Sequence, residues 1–178
     1  MIYTPAEDSY LLEKEVRKFS KGKKVLDMGS GSGIQAKAAI SYGAKQALAS
    51  DINSESIFHL KSRGIAAVKS NLFSNIHEKF DLIIFNPPYL PEDRKEDKES
   101  RQITTAGKNG DEIILRFFKS LKSHLNKNGI CLIVLSSLTP KNRIFKLLKA
   151  KHLKKSALSK QKLFMEELEV WKIKYIGH

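Results

Sequence analysis

Phe80-Asp81-Leu82-Ile83-Ile84-Phe85-Asn86-Pro87-Pro88-Tyr89 is the stretch that decides the architecture. Leu82 to Phe85 are four consecutive large apolar residues, the pattern of a strand buried on both faces at the centre of a parallel sheet. That strand stops at an amide followed by two prolines. Proline lacks an N–H and fixes φ, so the backbone there is stiff and its carbonyls escape ladder pairing. The Asn86 side-chain oxygen and the Pro87 carbonyl then form a receptor for both hydrogens of one planar –NH2 group, with the Tyr89 ring alongside. An ordinary strand-ending turn is the alternative, since Asn-Pro dipeptides also mark turns. What precedes the stretch decides between them.

Upstream, Lys24-Val25-Leu26-Asp27-Met28 reads as a short strand, followed by Gly29-Ser30-Gly31-Ser32-Gly33-Ile34 and a helix through about Tyr42. A strand, a glycine-rich turn and a helix N-terminus bring backbone N–H groups close to a ligand. The dinucleotide fingerprint requires glycine where Ile34 stands, so the nicotinamide form fails. Ala47-Leu48-Ala49-Ser50-Asp51 reads as a second strand ending on a carboxylate. In doubly wound folds an acid about 20 residues past the glycine loop accepts from ribose hydroxyls. Asn53 is placed to cap a helix through about Ser62, and Ile65 to Lys69 forms a short third strand. Asn71 lies just beyond it, either a plain loop residue or an acceptor for an adenine amine. At the N-terminus, Thr4 reads as helix N-cap, Pro5 as the first helical residue and Glu7 as the capping-box acid. Leu11, Leu12, Val16 and Phe19 then follow at helical spacing. By themselves Glu7, Asp8 and Ser9 are helix-start chemistry.

Downstream, Leu90 to about Asn109 is dense in charges of both signs, and a connection this long tends to be functional or mobile. A lid over the substrate side and a solvated excursion both fit it. Gly110-Asp111-Glu112 opens a helix with a core stripe of Ile113, Ile114, Phe117, Phe118, Leu121 and Leu125. Ile130 to Leu135 is a second fully buried strand. Thr139-Pro140 starts a helix carrying Ile144, Leu147 and Leu148. Leu153 to about Leu158 and Leu168 to Ile176 read as two strands joined by Ser159–Glu167, with Trp171, Ile173 and Tyr175 on one face. The order predicts an α/β open sheet, mostly parallel, with helices on both faces. No repeat or linker interrupts residues 1–178, which read as one domain.

The 178 residues are 41% hydrophobic and 29% charged. No apolar run approaches the ~20 residues of a membrane span, and no basic-then-apolar leader is present at the start, so the expected location is cytoplasmic. The single cysteine, Cys131, excludes an internal disulfide and argues against a cysteine-based metal site; none is expected. Lysine and arginine number 32 against 19 acids, a formal charge of +13. That invites nucleic acid, though a scatter of lysines over solvated helix faces gives the same number; non-specific binding is the expectation.

Asp27 two residues before the first glycine, glycines at every second position, and Asn86-Pro87-Pro88-Tyr89 together resemble the HemK-type class I S-adenosylmethionine-dependent methyltransferases, which modify the glutamine of the GGQ motif in translation termination factors. Tyr3-Thr4-Pro5-Ala6-Glu7-Asp8-Ser9, Ala106-Gly107-Lys108-Asn109-Gly110 and Ala157-Leu158-Ser159-Lys160-Gln161 are similar to the eukaryotic and archaeal branch. The resemblance implies a seven-stranded sheet of order 3-2-1-4-5-7-6 with strand seven antiparallel. It implies that Ser9, Asp27, Gly29 and Gly31 hold the methionine part of S-adenosylmethionine, Asp51 the ribose, and Asn71 and Leu72 the adenine. Asn71 stands where the family usually has Asp. Asn86, also at the edge of the cofactor site, and the Pro87 carbonyl would bind the target amide, with Tyr89 shaping the pocket. S-adenosylhomocysteine would be the product. The resemblance also implies a small zinc-binding activator protein docked at the strand-three edge, Ile65–Lys69, and a release factor with a GGQ loop as substrate. Because the Asn86 motif is shared with adenine and cytosine N-methyltransferases, methylation of adenine N6 on DNA or RNA is the competing reading, with protein lysine as another.

Overall fold

The structure is a computed structural model, and it describes residues 2–88 and 109–177. Tyr89, most of the charged connection read as a lid or excursion, and Ala106-Gly107-Lys108 lie outside the described residues. In chain order the elements are α1 (Glu7–Phe19), β1 (Lys24–Met28), α2 (Ile34–Ser41), β2 (Gln46–Asp51), α3 (Ser54–Ser62), β3 (Ala67–Lys69), β4 (Phe80–Phe85), α4 (Glu112–Leu121), β5 (Leu125–Ser136), α5 (Asn142–Ala150), β6 (Leu153–Lys162) and β7 (Glu167–Tyr175). All seven strands join one sheet, in the order β3-β2-β1-β4-β5-β7-β6. The pairs from β3 to β5 are parallel, and β7 runs antiparallel to both neighbours. The expected α/β class, strand order and reversed strand are all present.

β4 is the central strand of the seven, and its apolar residues divide by the period of two. Ile83 and Phe85 pack with Leu26, Met28, Cys131 and Ile133 beneath α4 and α5, where Phe117, Phe118 and Ile144 are fully buried. Leu82 and Ile84 pack on the other face with Val25, Leu132 and Val134 beneath α1 and α2, which contribute Leu12, Val16 and Ala39. Each such side chain removed from water contributes about 1.5–3 kcal/mol, so the two-sided run anchors the centre of the sheet.

Several boundaries differ from the sequence reading. The N-cap of α1 is Ala6, with no side-chain cap, and not Thr4. Asp8 takes over the capping role from inside the first turn, its Oδ1 accepting the Ser9 N–H at 2.6 Å. Residues 3–5 instead pass over the glycine loop, where Tyr3 Cβ sits 3.5 Å from the point a Cβ on Gly31 would occupy. β3 is shorter than Ile65–Lys69, because the Ile65 N–H returns to Leu60 O at 3.1 Å and closes the end of α3. Leu125 belongs to β5, not to α4; a 3-10 turn over Lys122–His124 separates them. β5 starts before Ile130, at Leu125, with a register shift against β4 where Gly129 backs onto Phe80 O and leaves no room for a Cβ. α5 begins at Asn142 rather than Thr139. Ser159–Lys162 belong to β6, so only residues 163–166 join the last two strands. β6 is a polar edge strand, and its burial pattern carries no apolar alternation to read. Trp171 and Ile173 are fully buried, whereas Tyr175 at the same period is 38% exposed.

Candidate active site

Strand order reverses between β1 and β4, the position where open α/β sheets bind ligands beyond the strand carboxyl ends. Met28 of β1 pairs with Phe85 of β4, so Gly29 and Asn86 leave the sheet side by side. A cavity of about 750 Å³ opens there. Ser9, Asp27, Gly29, Gly31, Asp51, Asn71, Leu72, Asn86 and Pro87 all line it, which brings together every expected site residue except Tyr89, outside the described residues.

The glycine loop is held in a shape that other residues adopt only with strain. Gly29, Gly31 and Gly33 have φ of 65°, 50° and 80°. Gly29 and Gly31 face the cavity, while a Cβ on Gly33 would stand 2.4 Å from Leu60 Cδ2 of α3. The Ser30 N–H donates to Ser50 O at 2.9 Å and its hydroxyl to Asp27 O at 2.7 Å, tying the loop to β2 and β1. Asp51 accepts from the Gly31 N–H through Oδ2 and the Asn53 N–H through Oδ1, each at 2.8 Å. Each oxygen keeps a further lone pair for a ligand hydroxyl. Asp27 is buried, its Oδ2 accepting the Ala36 N–H at 3.0 Å. Burial pushes its carboxyl up to about 7, with the charge of Asp51 adding to the effect and the Ala36 hydrogen bond opposing it.

Across the cavity mouth, Asn86 Nδ2 donates to Asp8 Oδ2 at 3.0 Å. A carboxylate only accepts, so this contact fixes which way the Asn86 amide faces. Its Oδ1 is buried and takes no hydrogen bond. Asp8 is itself held by the Tyr3 hydroxyl, at 2.9 Å to Oδ1 and 3.0 Å to Oδ2, and by the N–H and hydroxyl of Ser9. Burial, with the Asp8 charge, drives the Tyr3 phenol well above its ordinary range, so it stays a donor. Gln35 repeats the pattern: its Nε2 donates to Ser9 O at 2.8 Å, and its Oε1 is buried and unpaired.

Beyond β3, Leu72 holds a φ of 51°, an uncommon conformation for a side-chain-bearing residue and of the kind that clusters at ligand sites. The Ser70 hydroxyl supports it by donating to Leu72 O at 2.6 Å. Asn71 Oδ1, expected as an open acceptor, already accepts from Arg116 Nη2 at 3.0 Å, leaving one lone pair.

Asp8, Gln35 and Arg116 were not legible as site residues. Asp8 was absorbed by its helix-start position. Gln35 carried a signal, for it shares the helical face of Ala38 and Ala39 and is a polar side chain on a buried stripe. Arg116 lies on α4, and nothing in the sequence ties it to Asn71. Chemically the site offers carboxylates and amide oxygens to N–H and O–H donors. No group of three His, Cys, Asp or Glu among the described residues is arranged to hold a metal ion. Cys131 is buried in β5, its thiol pushed up by burial.

The methyltransferase small domain model matches residues 7–165. A Methanocaldococcus jannaschii protein named for protein N5-glutamine methyltransferase activity is 38% identical over 95% of this chain and 89% of its own length. Human methyltransferase HEMK2 is 32% identical over 90% of this chain and 84% of its own. Among solved structures, the E. cuniculi Mtq2-Trm112 complex, which methylates the eRF1 translation termination factor, aligns with a TM-score of 0.81 over 98% of this chain and 99% of that one, at 22% identity. That likeness bears on the fold. With the family model and the two relatives, it follows that this chain belongs to the methyltransferase small domain family and is an enzyme whose methyl donor is S-adenosylmethionine.

Proposed function

We propose that the enzyme methylates the side-chain amide nitrogen (N5) of a protein glutamine, and that its substrate is the GGQ glutamine of a translation termination factor. One observation carries the reading: Asn86 Oδ1 is buried, unpaired and locked in orientation by Asp8, beside the stiff Pro87 carbonyl. Leaving a buried acceptor unpaired costs about 1–3 kcal/mol, a cost that a bound donor offsets. The relative from M. jannaschii, named for the same reaction, supports it.

The cavity residues fit the cofactor. Asp27 and Ser9 would take its amino-acid tail between Gly29 and Gly31, Asp51 its ribose hydroxyls, and Asn71 and Leu72 its adenine. About 750 Å³ lies within the range of pockets for ligands of this size. When bound, S-adenosylmethionine supplies a methyl group activated by sulfonium. An amide nitrogen is a weak nucleophile because its lone pair is delocalised. Asn86 Oδ1 and Pro87 O would each accept one of its hydrogens, which fixes the nitrogen in line and stabilises the positive charge that develops on it. One of those two hydrogens would then leave to water as a proton, so that the methylated amide is neutral. Tyr89 would close the pocket wall.

The reading extends to a partner. β3 ends the sheet with three residues, and Phe58 of α3 and Ile52 after β2 are 77% and 55% exposed nearby in the chain. Short apolar edges are natural docking sites. A small zinc-binding activator would add to this edge, as Trm112 accompanies Mtq2 in the E. cuniculi complex. A cytoplasmic location accords with a translation-factor substrate, and the +13 charge with incidental nucleic-acid contact.

The test offers labelled S-adenosylmethionine to the enzyme, co-produced with its partner, with a GGQ release factor, its Gln→Ala variant and duplex DNA in parallel. Label on the release factor that vanishes in the variant is expected. Label on DNA alone would overturn the reading in favour of adenine N6.

A further inference from the structure

Gln35 lies in the first turn of α2, is 3% exposed and lines the cavity. Its Nε2 donates to Ser9 O, and a backbone carbonyl only accepts, so the amide cannot be reversed and Oε1 faces away from Ser9. That oxygen is buried without a hydrogen bond. Native proteins seldom leave such an atom unpaired, and an exception at a cavity wall marks the place of a ligand donor. The charge around it narrows the donor. Asp8 and Asp27, both buried, line the same end. Arg116 is the single Lys or Arg among the described lining residues, and it is engaged with Asn71 at the far end. An uncharged acceptor set among carboxylates with no cation nearby favours a positively charged N–H donor.

We propose that Gln35 Oε1 accepts a hydrogen bond from the α-ammonium of the cofactor's methionine tail, making Gln35 a residue that selects amine-bearing ligands. The assignment rests on S-adenosylmethionine as cofactor and deepens it. It also gives one hydrogen-bonded path two reading ends. From Gln35 the path runs through Ser9 O to the Ser9 N–H, on to Asp8 Oδ1 and across its carboxylate to Asn86 Nδ2. The unpaired amide oxygen of Gln35 meets the cofactor, and that of Asn86 meets the target.

The test is a binding cycle by calorimetry with two probes: S-adenosylhomocysteine, and its deaminated analogue, which keeps the carboxylate and lacks only the amine. Both are titrated into the native protein and into Gln35→Leu. Losing the amine should cost the native protein affinity, and this loss should shrink by about tenfold in the variant, about 1.4 kcal/mol of coupling. Coupling of about threefold or more supports the proposal; less than that overturns it and leaves Gln35 a packing residue. Should Gln35→Leu fail to fold, Gln35→Met keeps an unbranched chain of similar length and gives the same comparison. Failure of the native protein to bind S-adenosylhomocysteine at all would overturn the cofactor assignment and this proposal with it.

Discussion

Asn86 and Asp8 stand 78 positions apart in sequence and meet through a 3.0 Å hydrogen bond that turns the Asn86 carbonyl away from Asp8 and leaves it buried and unpaired. The contact makes Asp8 a positioning residue: it acts on the target through Asn86. Asp8→Ala frees the amide to rotate and present Nδ2, a donor that repels the target N–H. The expected result is a fall in kcat of about 10²–10³-fold that exceeds any loss of affinity for S-adenosylhomocysteine by at least about tenfold. A merely structural role would weaken both together, which calorimetry beside initial rates distinguishes.

Asp27 makes the enzyme sensitive to pH in two opposite senses. Its carboxyl titrates at about 7 in the folded protein because of burial, against about 3.9 in an unfolded chain. The folded state therefore holds a proton that the unfolded chain has shed. This stabilising contribution is full below about pH 4 and is lost as pH rises through about 7. Binding of a cationic tail needs the carboxylate, so affinity for S-adenosylhomocysteine should fall by up to about tenfold per unit below pH 7. Asp27→Asn should remove that slope. A dissociation constant flat between about pH 5.5 and about pH 8 in the native protein would contradict the assignment.

Gly33 acts through packing and not through the ligand. Its φ of 80° and the Leu60 Cδ2 that occupies the space a Cβ would need mean that Gly33→Ala both strains the backbone and displaces a fully buried leucine. A loss of about 1–3 kcal/mol is expected. Fluorescence of Trp171, the single tryptophan and fully buried, reports the unfolding transition. Affinity for S-adenosylhomocysteine, measured well below that transition, should be unchanged, because Gly33 does not line the cavity.

The β3 edge predicts behaviour in production. Expressed alone, the chain should be poorly soluble or inactive, and co-production with a small zinc-binding partner should restore both. Full solubility and full activity of the lone chain, measured by light scattering and methyl transfer, would argue against the partner.

The sheet was legible because its strands carry unambiguous patterns. Leu82–Phe85 and Ile130–Leu135 are too apolar to lie anywhere but the centre, and the glycine loop after Met28 names its own turn. β6 was legible only in part because an exposed edge strand has no buried face to print on its sequence. The site divides the same way. Asp27 and Asp51 lie in the last two residues of β1 and β2, Asn86 directly follows β4, and all three can be placed from local pattern. Asp8 and Gln35 reach the cavity through contacts with Asn86 and Ser9, 78 and 26 positions away, that no local period encodes.

In the proposed function Asn86 Oδ1 serves the target amide and not the cofactor or the fold. The direct measurement is single-turnover methyl transfer by Asn86→Ala, beside its affinity for S-adenosylhomocysteine. Transfer should be lost by about 10³-fold or more, with affinity within about twofold of the native value. Transfer that survives, or affinity that falls in step with it, would mean that Asn86 does not bind the target amide.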